Sequence, residues 1–143
     1  MAIATVHKLP EVEPVDPRSC ILQAKGLLSA LLRNLGGEVS SEQRPSDADV
    51  QCTIEAVSHL VADGVQAWPE KAVTTAGGMA SNDHARTALR RALGSLRVIQ
   101  SAAFIAAPDS ISGEVEQALS DDELVNALWA TRDFVERAEV ATS

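Results

Sequence analysis

The sequence predicts an all-α fold, an antiparallel four-helix bundle preceded by an extended, Pro-rich N-terminal arm. Two observations carry this. Hydrophobic residues make up 45% of the chain, yet aromatics are only 3% and Tyr is absent, so a core must be assembled from Leu, Val, Ile and Ala, the palette of helix packing rather than of sheets. Four segments then repeat apolar residues at helical intervals, each opened by a capping residue or closed by Gly or Pro. With 143 residues, the chain is long enough to bury a core as one domain without disulfides or metals.

Residues 1–17 contain Pro10, Pro14 and Pro17, which fix their own φ and bias the preceding residue away from helix. An extended arm is expected there, too apolar in Ile3, Val6, Leu9, Val12 and Val15 for a plain linker. The bundle domain then spans 18–143. Asp16 followed by Pro17 reads as an N-cap and first helical residue, and Cys20, Ala24, Leu27, Leu28, Leu31 and Leu35 form the stripe of a first helix that stops at Gly36-Gly37.

Ser46 with Asp49 three residues on opens a second helix. Its stripe is Val50, Ile54, Val57, Val61, Val65 and Trp68, and Pro69 ends it. These two helices make a first hairpin, 18–69. Residues 70–82, rich in Gly and small side chains, read as a connector. A second hairpin, 83–140, follows. Its first helix is expected from about Asp83 to Ala107, with Ala85, Leu89, Ala92, Leu96, Ile99 and Ala103 aligned and Pro108 as terminator. Ser112–Leu119 suggests a short helical turn. Ser120-Asp121-Asp122-Glu123 is a capping-box pattern that opens the last helix, whose stripe is Leu124, Leu128, Thr131, Val135 and Ala138.

The second and fourth helices align without a gap, pairing Ser46 with Ser120, Asp47 with Asp121, Asp49 with Glu123 and Ile54 with Leu128. Two related αα-hairpins would produce this echo. So would two unrelated amphipathic helices that meet the same physical requirements.

Charge bounds the function. Twenty acidic against twelve basic residues give a net charge of −8, which disfavours nucleic acid and favours a protein partner with a basic surface. Two cysteines, Cys20 and Cys52, are too few for a disulfide framework, and no segment has the length and apolarity of a membrane span or the h-region of a signal peptide. A cytoplasmic protein with no membrane association is the expectation.

Chemistry-bearing patterns are sparse. Glu55, His59 and Asp63 line one helix face opposite the core stripe, without a convergent ligand from elsewhere, so they read as a solvated face and no metal is expected. Cys52 and His59 are seven residues apart, about 10 Å along a helix, beyond hydrogen-bond reach. No catalytic motif and no cofactor-binding fingerprint is present. Catalytic residues and cofactors are therefore expected to be none.

Two surface patches remain. Arg86, Arg90 and Arg97 fall on one side of the third helix, with Arg91 farther around. They read either as an anion-binding row or as cations neutralised by Glu136, Glu139 or other acids of the fourth helix. Val125, Trp129 and Arg132 lie beside the fourth helix's core stripe, and a Trp next to an Arg on a partly exposed face resembles a binding hot spot. The function that follows is a non-enzymatic protein-interaction or regulatory module that binds, bridges or occludes a protein partner. Self-association into a homodimer is compatible with it. The alternative is a small-molecule sensor or enzyme with an interhelical pocket for an anionic ligand.

Overall fold

The computed structural model describes residues 16–36, 44–68, 78–106 and 114–142. The arm, up to residue 15, and most of the expected connector lie outside the described residues. Four helices, α1 (Pro17–Leu35), α2 (Asp47–Ala67), α3 (Gly78–Ala103) and α4 (Asp121–Thr142), enclose one aliphatic core. Strands β1 (Phe104–Ala106) and β2 (Val115–Gln117) form an antiparallel ribbon, with Ile105 opposite Glu116.

Each helix packs on two neighbours, α1 on α2 and α4, and α3 on α2 and α4. Cross-helix pairs give the directions. Gly64 of α2 sits against Cys20 of α1 and Leu89 of α3. Ser58 donates to Gln100 at 3.1 Å, Ser95 and Thr131 join α3 to α4, and Lys25 and Ser29 of α1 meet Glu139 and Arg132 of α4. Every neighbouring pair is thus antiparallel, the up-down-up-down bundle expected from the stripes.

The helix starts are built as the sequence requires. Asp16 Oδ1 accepts from the Arg18 N–H at 3.1 Å, and Ser46 Oγ accepts from the Asp49 N–H at 3.2 Å. At α4 the capping box closes in both directions, Glu123 N–H to Ser120 Oγ at 3.2 Å and Ser120 N–H to Glu123 Oε1 at 3.3 Å. Gly36 ends α1 in an extended conformation, φ −78° and ψ 124°, so this stop does not use a left-handed glycine.

Every stripe residue expected on α3 and α4 is buried. On α1, Leu27 is 36% exposed instead, and Ile21 and Leu32 take core positions. This shifts the buried face toward α4, the second neighbour whose packing a single stripe does not reveal. Thr131 is the one fully buried hydroxyl among the described residues. Its hydrogen goes to the Ala127 carbonyl at 3.0 Å, so Ser95 Oγ, 2.7 Å away, is the donor of their mutual bond.

Three boundaries differ from expectation. α3 begins at Gly78, within the segment 70–82 read as connector. Once Ala85 and Leu89 dock, each residue added toward the N-terminus gains a backbone hydrogen bond, and Ala80 to Asp83 pose no steric bar. At its other end α3 stops at Ala103 rather than Ala107. Pro108 has no N–H to offer the Phe104 carbonyl, so the last turn is lost, and Phe104 and Ile105 favour an extended chain. The helical turn expected within Ser112–Leu119 is the partner strand β2, because pairing with β1 satisfies backbone groups that an isolated turn leaves open.

A polar network ties the ribbon to two helix starts. Arg44 Nε and Nη2 donate to the two carboxylate oxygens of Asp121 at 2.9 and 2.8 Å. Its Nη1 donates to Asp47 Oδ1 at 3.2 Å and to the Pro45 carbonyl at 2.8 Å, and its Nη2 also reaches Gln117 Oε1 at 2.8 Å. Gln117 in turn gives its backbone N–H to Asp47 Oδ2 at 3.0 Å and its amide to Asp121 Oδ1 at 2.7 Å. Asp47 and Asp121 are the residues paired by the internal echo; a single guanidinium holds both.

The Arg44 hydrogen bond holds the Asp121 carboxyl below its usual range, against the opposing effect of burial and with help from Gln117. Asp121 also raises the Arg44 guanidinium. A carboxyl depressed on folding stabilises the fold above its unfolded pKa of about 3.9 and loses that contribution as pH falls through the lower folded value. Asp121 is 40% exposed, so solvent screening discounts the gain, and Arg44→Ala is expected to cost about 1–2 kcal/mol at pH 7. Urea melts of both proteins across pH should show the gap constant down to about pH 4 and shrinking below it. In the same assay Gly26→Ala and Gly94→Ala, whose new methyls would meet nothing within 4 Å, should each stabilise by about 0.5–1 kcal/mol. Gly64→Ala should gain less, because its Cβ would lie 3.4 Å from Cys20 Cβ.

Candidate functional site

α4 carries two of the chain's four aromatic residues. Trp129 is 52% exposed, with the Arg132 guanidinium over its ring at 5.2 Å. The spacing of three residues places both side chains on the flank of α4 that faces α1. Arg132 is fixed from two further directions, its Nε donating to Ser29 Oγ at 2.9 Å and its Nη1 pairing with Glu136 at 3.0 Å. Glu136 also meets Lys25 at 4.0 Å, and Lys25 pairs with Glu139 at 2.8 Å. A large apolar surface is thereby displayed to solvent in a fixed orientation.

Ser29, Leu32, Arg33, Trp129 and Arg132 line a groove of about 240 Å³ between α1 and α4. Leu32 is buried and forms its floor, whereas Arg33 is exposed at its edge and has no ion pair among the described residues. Of the three residues singled out on this flank, Trp129 and Arg132 meet in the groove. Val125 is half-buried and packs against the core one turn away. The α1 side of the groove gave no signal in the sequence beyond Leu32 falling off the expected stripe.

The arginine row is distributed differently. Arg86 is half-buried, and Arg90 and Arg97 are exposed. The row continues through Leu93 to Gln100, which bonds α2; Lys25 of α1 reaches Glu136 and Glu139, and Arg86 is engaged as well. Arg90 and Arg97 make no ion pair among the described residues, and these two line no described cavity with Arg86. Arg91, one position around the helix, does line one, beside α4.

Glu55, His59 and Asp63 are all exposed on α2. Among the described residues no group of three or more His, Cys, Asp or Glu is placed to hold a metal ion, and no helix is long and apolar enough to cross a membrane. Cys52 is exposed and Cys20 buried. Burial, with the nearby charges of Asp63 and Asp16, pushes the Cys20 thiol up, which suppresses the reactive thiolate. One thiol per native chain, Cys52, is therefore expected to react promptly with a disulfide reagent, and Cys20 only after denaturant is added; mass spectrometry of the labelled protein checks the assignment.

No protein-family model, characterised protein or solved structure matches this chain.

Proposed function

We propose that the chain is a non-enzymatic protein-interaction module that engages a protein partner through the α1–α4 groove centred on Trp129. The observation that supports this is the half-exposed indole held under Arg132, which is itself anchored by Ser29 and Glu136. Indole surface contributes large apolar area on desolvation, and a side chain already fixed loses little entropy when a partner covers it. The groove accepts an apolar side chain, and Arg33 at its edge supplies donors for a carbonyl or carboxylate beside that anchor. A net charge of −8 steers encounter toward a partner of net positive charge.

The test is site-specific photo-crosslinking in the cells of origin, with the photoreactive residue at position 125 beside the groove or at position 98. Val98 is an exposed residue of α3 and serves as the control. A protein crosslinked from position 125 but not from 98, and lost with Trp129→Ala, is the expected result. Equal capture from both positions, or none from 125, would overturn the proposal. A crosslink to a second copy would reassign the groove to self-assembly, to be checked by light scattering of the intact protein and of Trp129→Ala.

A further inference from the structure

A second cleft lies on the opposite flank of α4, against α3. His84, Thr87, Ala88 and Arg91 contribute from α3 at helical spacing, and Phe134 and Arg137 from α4, enclosing about 480 Å³. That volume is within the range of small-molecule sites. Buried Ala88 is the small α3 residue that lines the space, between Thr87 and Arg91, while Phe134 forms the facing wall.

The chemistry of the wall runs against that of the whole molecule. The chain carries net charge −8, yet among the described residues no carboxylate lines this cleft. Asp133 and Glu136 line an adjoining cleft that shares His84 and Arg137 with this one, and both already have cationic partners. Arg137 pairs with Asp133 at 3.0 Å, and Glu136 is held by Arg132 and Lys25. Arg91, in contrast, forms no ion pair or hydrogen bond among the described residues. It is the uncompensated cation of the wall. Arg137 also stands over the Phe134 ring at 5.6 Å, and the N–H groups that do not meet Asp133 remain as donors.

We propose that this cleft binds a small organic anion bearing a ring, its phosphate or carboxylate held by Arg91, with Thr87 and Arg137 as further donors, and its ring laid against Phe134. Two guanidinium groups and a hydroxyl line this space, with no carboxylate among its described lining residues, and match the several acceptor oxygens of such a group. The half-buried phenyl ring and Ala88 supply the apolar contact that inorganic phosphate does not use. The site is independent of the Trp129 groove, from which it is separated by the body of α4.

The experiment is an amide-shift titration of the full chain with phenyl phosphate, benzoate and inorganic phosphate, on the native protein and on Arg91→Gln, Arg90→Gln and Phe134→Leu. Phenyl phosphate or benzoate should shift residues 84–91 and 134–137 and saturate in the millimolar range or below, the affinity expected of a few charge-assisted contacts. Arg91→Gln should weaken binding about tenfold, whereas Arg90→Gln, an exposed neighbour off the cleft, should leave it unchanged. Whichever of the two organic anions binds more tightly identifies the head group. Equal losses from Arg90→Gln and Arg91→Gln, or no saturation, would overturn the site. Inorganic phosphate binding as tightly as phenyl phosphate, with Phe134→Leu silent, would overturn the ring-binding half. Arg91 is exposed, so its variant should fold, and an unchanged native amide spectrum before titration verifies that.

Discussion

A single guanidinium ties three elements of this bundle together at one end. A core made mostly of Leu, Val, Ile and Ala is attractive in many registers, because dispersion and water exclusion carry little direction. Directional groups must fix which turn of one helix faces which turn of the next. Arg44 does so by holding Asp121 at the start of α4, Asp47 at the start of α2 and Gln117 in the ribbon. α2 and α4 are diagonal rather than adjacent, so no direct side-by-side packing sets their relative height. The clamp joins them directly, and the height of α4 decides where Trp129 meets α1 and where Phe134 meets α3.

Much of this architecture is legible in the sequence where the cause is local. Caps at Asp16, Ser46 and Ser120 depend on residues within one turn, and the α3 and α4 stripes depend on spacing alone. What escaped depends on partners distant in the chain. Leu27 and Leu32 compete for burial on α1, and which one wins is decided by α4. Phe104 to Ala106 leave the helix because β2 is available to pair with them. Arg44 is preceded and followed by nothing that marks it, yet the signal was present in the echo. Two helices with acidic starts, run parallel across a bundle, bring five carboxylates to one end, and that concentration calls for a cation.

The candidate site was legible in part for the same reason. Trp129 and Arg132 are three residues apart on one helix, so their meeting follows from helix geometry. The rest of the groove comes from α1, more than ninety positions away in the sequence. The basic surface was legible only as a stripe. Arg86, Arg90 and Arg97 share a stripe in projection, but stripes acquire meaning from the neighbouring helix. The row runs along the α2 side, and the cleft opens on the α4 side, where Arg91 stands. Together the two clefts give α4 a distinctive role. It holds the aromatic–arginine pairs Trp129–Arg132 and Phe134–Arg137, each at i, i+3, each turned to a different neighbour.

The span of the Arg44 clamp has a kinetic meaning. Contacts of α1 with α2, α2 with α3, and α3 with α4 join elements consecutive in the chain, so they can form through successive hairpins with modest loop-closure entropy. The Arg44–Asp121 bond bridges 77 positions and needs both ends of that stretch already in place. An interaction formed after the rate-limiting step leaves the folding rate nearly untouched and slows escape from the native state. Like the still longer-range Lys25–Glu139 and Ser29–Arg132 bonds, the clamp is expected to govern how long the assembled bundle persists more than how quickly it is reached.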